Sequence, residues 1–172
     1  RLRYGSPLPG VAAGRPCRAG ESWRWPGDIR FRFLSPARES GLASNDSSCV
    51  LQVQLRNHRL LLAGDIGSAR ERELVRYWRR QLHSDSLLVA HHGSRTSSAD
   101  AWLKYVRPDI AWLSYGYANR FGHPHPLVLA RLERYGSRRY STARRGALEL
   151  LPERASHPTI SAWRDRRQPW WM

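Results

Sequence analysis

Three groups of side chains in this sequence have the chemistry of a metal-dependent hydrolase. Asp65 follows an apolar run, His91 and His92 follow a second apolar run, and His123 and His125 stand on either side of a proline. Carboxylate oxygen and imidazole nitrogen are the usual ligands of zinc and manganese, and a bound ion of this kind can activate water. A Gly-Asp pair after a strand is also a common turn, so the acid alone is not diagnostic.

The elements expected to position these groups are two strands joined by a helix. The apolar runs Leu60 to Ala63 and Leu87 to Ala90 have strand length. Apolar residues recur at helical spacing between them: Leu74, Val75, Trp78 and Leu82. Ser68 followed by Glu71 predicts a capping box at the start of this helix. A strand, a helix and a strand predict a right-handed parallel unit, so Asp65 and the histidine pair are expected to meet at one edge of the sheet.

A third strand and a second helix are expected to bring further histidines to the same edge. The strand is predicted from Ile110 to Leu113, and the loop after it leads into a helix that begins near Pro126 and stops at Gly136. This places His123 and His125 at a helix N-terminus, which favours an anion such as phosphate. The two histidines are candidates for a metal ligand, a general acid or phosphate donors, and bracing the loop is the simpler alternative.

The loop from Gly93 to Ser98 is small and polar, which would let a phosphate approach backbone amides. Ser97 or Ser98 is expected to cap the following helix. Four side chains near the histidines are candidate contacts to substrate phosphate: Ser94, Arg95, Asn119 and Arg120. A solvated arginine is the commoner role for Arg95.

Three motifs carry a family resemblance. GDI at residues 64–66, AHHGSRTSS at 90–98 and NRFGHPHPLVLARL at 119–132, in this order and spacing, resemble the C-terminal part of the metallo-β-lactamase-like domain of the ComEC competence proteins. The resemblance runs from Cys17 to Leu151. It implies an α/β fold, the metallo-β-lactamase-like αββα sandwich, and a nuclease that degrades the non-transforming DNA strand. It also implies a periplasmic domain whose partners are DNA and the rest of a chain with a membrane channel.

The resemblance implies roles for the site residues as well. Asp65 would bridge two divalent ions, zinc or manganese, and either His92 or His91 would ligate one of them. The other histidine of this pair, or His123 or His125, would protonate the leaving group. The turn at residues 45–48 resembles the family's Asn-Ser turn, but an ordinary Asx turn explains it equally well and no metal role is assigned.

One family motif is not in the sequence. Related hydrolases carry a His-x-His-x-Asp-His loop, and here His123-Pro124-His125 has the first spacing but Pro126-Leu127 follows. We therefore expect the C-terminal half to two-thirds of the domain, with an incomplete metal site and an incomplete sheet prone to self-association. A start at Arg rather than Met also indicates an excised part. The parent domain is expected to be a metal-dependent DNA hydrolase; whether this chain is itself an enzyme is left open.

The resemblance bears on the two cysteines, Cys17 and Cys49. A periplasmic location implies a disulfide between them, the alternative being two unrelated buried thiols.

The chain is expected to divide into three parts. Residues 1–22 are expected to be an irregular arm, 23–151 the partial domain and 152–172 a basic, Trp-containing tail without a clear fold. Hairpins are predicted from Trp23 to Leu34 and from Arg138 to Leu151, the second turning at residues 144–146.

The composition limits the possible functions. With 41% hydrophobic residues and eight tryptophans among 172 residues, the chain is not a disordered tail. A net charge of +15 favours a polyanionic partner such as DNA, although an arginine-rich proteome also explains it. No run reaches the roughly 18 apolar residues of a membrane span, so a soluble segment is expected, without a signal peptide. Alternatives to the nuclease are a non-catalytic DNA-binding module, or a hydrolase of another phosphodiester or ester.

Overall fold

A mixed sheet of seven strands forms the centre of the computed structural model, which describes residues 16–36, 45–151 and 159–166. The strands lie in the sheet in chain order: β1 (Ser22–Trp25), β2 (Ile29–Ser35), β3 (Val50–Leu55), β4 (His58–Leu62), β5 (Ser86–Leu88), β6 (Ile110–Leu113) and β7 (Arg138–Ser141). The helices are α1 (Ser68–Trp78), α2 (Asp100–Val106), α3 (Pro126–Arg134), α4 (Thr142–Arg145) and α5 (Trp163–Arg166). A separate antiparallel pair consists of β8 (Leu148–Leu151) and β9 (Thr159–Ala162).

The N-terminal edge of the sheet is the hairpin β1–β2, and the predicted hairpin between Trp23 and Leu34 is thereby confirmed. Alternating aromatic residues lie on one face of it, and the rings of Trp23 and Phe31 stack with centroids 4.9 Å apart and planes 4° apart. The chain before β1 has no helix or strand over residues 16–21. A disulfide joins Cys17 to Cys49, with Cα atoms 6.0 Å apart, and so ties this segment to the start of β3.

The other half of the sheet is parallel, as the strand–helix–strand pattern predicts. β4, β5, β6 and β7 pair in parallel, and Leu61, Leu87 and Ala111 are register neighbours with no solvent exposure. Apolar runs buried on both faces favour this arrangement because helices or loops cover a parallel sheet on each side. The third strand has the predicted bounds, Ile110–Leu113. The carboxyl ends of these strands consequently share one edge of the sheet.

The hydrophobic core lies between the sheet and the helices on one face. Its largest fully buried side chain is Trp102 of α2, packed with residues from the strands and from α1 and α3. The opposite face is also apolar, and β8 covers it in part over a cavity of about 350 Å³ that Leu60, Trp112 and Leu148 help to line. Over the described ranges, no helix has the length and hydropathy required to span a membrane.

The capping box predicted at the start of α1 is wrong. Gly67 is the N-cap residue, without a side-chain cap hydrogen bond, and Ser68 is already helical. Glu71 has no solvent exposure, and its carboxylate reaches across to the start of α2. There it accepts hydrogen bonds from the backbone N–H of Ser98 at 2.5 Å and of Ala99 at 2.8 Å. The Glu71 carboxylate therefore satisfies two N–H groups at the N-terminus of another helix.

The same contact overturns the predicted serine cap of α2. Ala99 is the N-cap residue of α2, and no side chain of its own segment caps it. The Ser97 hydroxyl instead donates to the carbonyl oxygens of Ala90 at 2.9 Å and Ser94 at 3.0 Å. The Ser98 hydroxyl is buried without a hydrogen-bond partner in the described part of the chain. A carboxylate from α1 has replaced the local cap.

The C-terminal part departs from the prediction in two ways. β7 pairs with β6 rather than with β8, so the predicted hairpin from Arg138 to Leu151 is wrong. The unpaired edge of β6 offers β7 a parallel partner, and the Tyr140 ring lies 5.9 Å from that of Trp112. Residues 144–146 end helix α4 instead of forming a turn, and β8 pairs with β9. Residues 159–166 thus have regular structure where a tail without a clear fold is expected; the rest of that segment lies outside the described residues.

Candidate active site at the carboxyl edge of the sheet

The acid and the histidine pair lie side by side, as the parallel topology predicts. Asp65 follows β4 after Gly64, whose φ of +60° permits the sharp turn. The histidines follow β5 in a short 3₁₀ segment over residues 90–93. The backbone N–H of His91 donates to the carbonyl oxygen of Gly64 at 2.9 Å. This main-chain bond fixes the two loops to each other.

The hydrogen bonds of His92 define the chemistry of the pair. Its Nδ1 lies 2.7 Å from the carbonyl oxygen of Ser114, and since a carbonyl only accepts, Nδ1 must carry the proton. In the neutral ring Nε2 then presents a lone pair, which lies 3.7 Å from Oδ1 of Asp65. A lone pair and a carboxylate oxygen at this distance repel each other unless a proton or a cation lies between them. The structure thus brings together the Asp65 carboxylate and the His92 ring, each about half exposed, and binding of a metal ion by the two stays a prediction.

His91 is held differently. Its Nε2 lies 3.3 Å from the side-chain amide nitrogen of Asn45, which can only donate. Both histidines have left-handed backbone conformations, with φ of 49° at His91 and 54° at His92. Two successive non-glycine residues in this region are strained by about 1–3 kcal/mol each, and such strain clusters at functional sites. The strained turn directs the two rings to different partners.

The third loop joins the site through Gly93. The backbone N–H of His125 donates to the carbonyl oxygen of Gly93 at 2.8 Å. Gly93 has a φ of +82°, and a Cβ added there would lie 2.6 Å from Cβ of Pro124. Only glycine permits this approach between the histidine loop and the loop before α3.

His123 and His125 reach the same edge of the sheet, as predicted, but with different surroundings. The His123 ring lies 6.1 Å from that of His91 and stacks on Phe121 at 5.8 Å, centroid to centroid. Burial lowers the pKa of His123, and the positive charges that His91, His92 and His125 acquire on protonation lower it further. His125 is the N-cap residue of α3, and its Nδ1 accepts a hydrogen bond from the N–H of Leu127 at 3.2 Å.

The four candidate phosphate residues fall into two pairs. Arg95 and Arg120 are exposed, and Arg120 lies over the Phe121 ring at 4.9 Å from its centroid. Ser94 and Asn119 already have hydrogen-bond partners. The buried Ser94 hydroxyl lies 3.1 Å from that of Thr96. The Asn119 side-chain amide donates to the carbonyl oxygen of His123 and accepts from its backbone N–H. Phosphate binding by all four residues stays a prediction.

The family resemblance implies a metal site at this edge of the sheet. A catalytic zinc site uses three protein ligands and an open position. Asp65 and His92 have the right chemistry, but across residues 16–36, 45–151 and 159–166 no group of three or more His, Cys, Asp or Glu side chains is placed to hold a metal ion. The residues present do not form a complete site, so no catalytic step through a metal follows from this chain alone.

Residues near 45–48 position the site, and sequence reasoning gave them only the role of a turn. Besides the contact of Asn45 with His91, Asp46 Oδ1 accepts from the N–H of Gly67 at 2.8 Å. The Ser48 hydroxyl accepts from the N–H of Asp65 at 3.2 Å. The family resemblance of the turn was the available signal. No sequence signal marks the carbonyl of Ser114, because every residue type has a backbone acceptor.

Known proteins match this chain over most of its length. Residues 23–117 match the family model of the metallo-beta-lactamase superfamily. Competence protein ComA of Neisseria gonorrhoeae is 36% identical over 152 residues, which are 84% of this chain and 22% of that protein. Recombination protein 2 of Haemophilus influenzae is 38% identical over 134 residues, 78% of this chain and 16% of the relative. ComE operon protein 3 of Bacillus subtilis is 32% identical over 122 residues, which are 71% of this chain and 16% of that protein.

The chain spans only 16% to 22% of the length of these relatives. The α/β sheet with helices on one face agrees with the family model that covers it. The chain belongs to the metallo-β-lactamase superfamily and, within it, to the ComEC-like competence proteins.

Proposed function

We propose that this chain is part of a metal-dependent phosphodiester hydrolase that cleaves DNA during its uptake, and that this hydrolase degrades the non-transforming strand. The observation that carries the proposal is the Asp65–His92 pair, in which a carboxylate oxygen and an imidazole nitrogen lie 3.7 Å apart. A cation between them would remove their repulsion. The relatives named as competence proteins support DNA as the substrate, and the net charge of +15 agrees with a polyanion.

In this proposal Asp65 and His92 supply two ligands of a site for two zinc or manganese ions, and the remaining ligands come from residues outside this chain. Bound ions would supply activated water and stabilise the attacking and leaving oxygens. His92 is the better ligand of the histidine pair, because Nε2 of His91 already faces the Asn45 amide. His91, His123 and His125 are the candidates for protonating the leaving oxygen.

The proposed setting is the periplasmic face of the bacterial inner membrane. The disulfide between Cys17 and Cys49 agrees with an oxidising compartment. The partners in this setting are DNA and the rest of a longer chain that includes the membrane channel. The apolar face opposite the helices would pack against that remainder, or against a second copy when it is missing.

A non-catalytic DNA-binding module is the second candidate. It is favoured by the incomplete donor set, since the described residues provide fewer than three clustered ligands. In that case DNA binding survives chelation and depends on salt concentration. A hydrolase of another phosphodiester or of a small ester is a variant of the first candidate, and cleavage of a chromogenic phosphodiester as fast as DNA would favour it.

The test is a nuclease assay with manganese or zinc, and with chelator, on this chain and on a form extended upstream to include the His-x-His-x-Asp-His loop of the family. We expect metal-dependent cleavage by the extended form only. If neither form cuts DNA while both bind it in a salt-dependent way, the binding module replaces the hydrolase.

A further inference from the structure

A groove rich in arginine lies at the opposite end of the sheet from the candidate active site. It encloses about 520 Å³ between β1–β4 and the segment that follows α1. Among the described residues, the charged side chains that line it are one aspartate, Asp28, and five arginines: Arg24, Arg30, Arg32, Arg56 and Arg59. We refer to these five as the arginine groove. From Arg59 to Asp65 the chain advances six residues, roughly 15–20 Å along β4 and its turn.

The register of the strands arranges these arginines in a line. Arg24 of β1 is opposite Arg30 of β2, Arg30 is opposite Gln54 of β3, and Gln54 is opposite Arg59 of β4. Neighbouring strands are about 4.8 Å apart, so three guanidinium groups cross four strands in one row. Like charges directly opposite each other, as in the Arg24–Arg30 pair, destabilise a sheet. A bound anion would remove this cost.

Within residues 16–36, 45–151 and 159–166, few acidic groups neutralise this charge. Arg30 has a long contact with Asp28, at 3.5 Å, and both side chains are more than half exposed. Arg59 Nε donates to Oε1 of Gln54 at 2.7 Å, which orients the guanidinium without cancelling its charge. Over the described part of the chain, neither Arg24 nor Arg56 has an ion-pair partner.

We infer that the arginine groove binds the sugar–phosphate backbone of a single nucleic-acid strand, a second contact that rests on the proposed function and extends it away from the active site. Guanidinium groups match phosphate geometry with paired N–H donors. The rings of Trp23 and Phe31 lie on the other face of the sheet and stack on each other, so the arginine row offers contacts to phosphates rather than to bases. A concave groove of this size favours a strand over the flat surface of a bilayer.

The test measures binding of a fluorescent single-stranded oligonucleotide to the full 172-residue chain in chelator at several salt concentrations. The groove variant is Arg24→Gln/Arg30→Gln/Arg59→Gln. The matched control, Arg76→Gln/Arg107→Gln/Arg138→Gln, removes the same charge from exposed arginines outside the groove. With about 0.7 released counterions per phosphate contact on a single strand, the groove variant should lower the slope of log K against log salt by about 2. The control should lower it by less than half as much.

An equal loss in both variants, or no loss in either, overturns the inference, as does a groove variant that loses only its binding to anionic vesicles. Circular dichroism establishes that each variant is folded, and a second groove variant with lysine at the same three positions should keep most of the slope. Cleavage is measured separately with metal present, so its failure counts against the proposed function and leaves this comparison intact.

Discussion

The buried carboxylate of Glu71 makes the stability of this chain depend on pH in a direction that can be worked out. Burial raises the pKa of Glu71 from 4.5 to about 7, although hydrogen bonds from the N–H groups of Ala99 and Ser98 and the charge of Arg131 lower it. Between these two pH values the folded chain binds more protons at this position than the unfolded chain does. The free energy of unfolding therefore falls as the pH rises from 4.5 to about 7.

The size of the effect follows from the two pKa values. At 1.36 kcal/mol per pKa unit, the contribution of this group is on the order of 3 kcal/mol across the window. His58 acts in the opposite sense, because burial lowers its pKa and the charges of Asp85 and Asp109 offset this only in part. A lowered histidine pKa makes the folded state more stable as the pH rises towards 6.5. The Glu71 contribution must therefore be isolated by difference.

The perturbation is Glu71→Gln, which keeps the shape of the side chain and removes its titration. The amide can accept from only one of the two backbone N–H groups. We therefore expect the free energy of unfolding of the variant to be lower than that of the wild type by about 1–3 kcal/mol, with the largest difference at acid pH. Urea denaturation at intervals from pH 4.5 to pH 8 measures the difference in free energy of unfolding. The control is Glu73→Gln on the same helix, an exposed carboxylate paired with Arg70 at 2.6 Å.

The reasoning is refuted if the difference between wild type and Glu71→Gln stays constant across this pH range. A constant difference would mean that Glu71 has the same protonation in the folded and unfolded chain. A slope of equal size in the Glu73→Gln series would assign the effect to net charge instead.

Three further predictions concern the site and the disulfide. Asp65→Ala should reduce metal-dependent DNA cleavage by a form with a complete metal site to the rate measured in chelator, and an unchanged rate would refute the assignment. The disulfide closes a loop of 32 residues, so its reduction should lower the free energy of unfolding by about 3–4 kcal/mol, and protein from the periplasm should show no free thiols by mass measurement. Gly93→Ala should lower the free energy of unfolding by about 2–4 kcal/mol, measured by thermal unfolding, because of the positive φ and the close approach of the added Cβ to Pro124. Gly122→Ala, where φ is +65° and an added Cβ meets no described atom within 4 Å, should lower it by about 1–2 kcal/mol.

The sequence was informative where a feature depends on a repeating local pattern. Buried strands read as apolar runs, so β6 and the parallel arrangement were predictable, and the meeting of Asp65 with His92 followed from that topology. The caps of α1 and α2 were not predictable, because Glu71 finds its partners 27 and 28 residues away rather than one turn away. The predicted pairing of β7 with β8 was wrong for the same reason. Packing across the sheet, which no local pattern encodes, decides whether β7 pairs with β6 or with β8.

Within the site, residue types were predictable and their partners were not. Carboxylate and imidazole are chemically marked in a sequence, whereas the Ser114 carbonyl that orients His92 is not. The different surroundings of His91 and His92 likewise depend on Asn45, which is 46 positions before His91 in the chain. Such contacts join segments that are far apart in the sequence, and no local residue pattern predicts which segments meet.

The three loops of the site are tied together by main-chain atoms. His91 N–H to Gly64, His125 N–H to Gly93, and Ser68 N–H to Thr96 at 2.7 Å involve no side chain. These bonds use atoms that every residue type supplies, whereas Gly93 remains fixed because its position has no room for a Cβ. Most of the side chains proposed to bind metal or phosphate can therefore be exchanged on the same main-chain framework, which makes this edge a suitable scaffold for side-chain-swapping experiments.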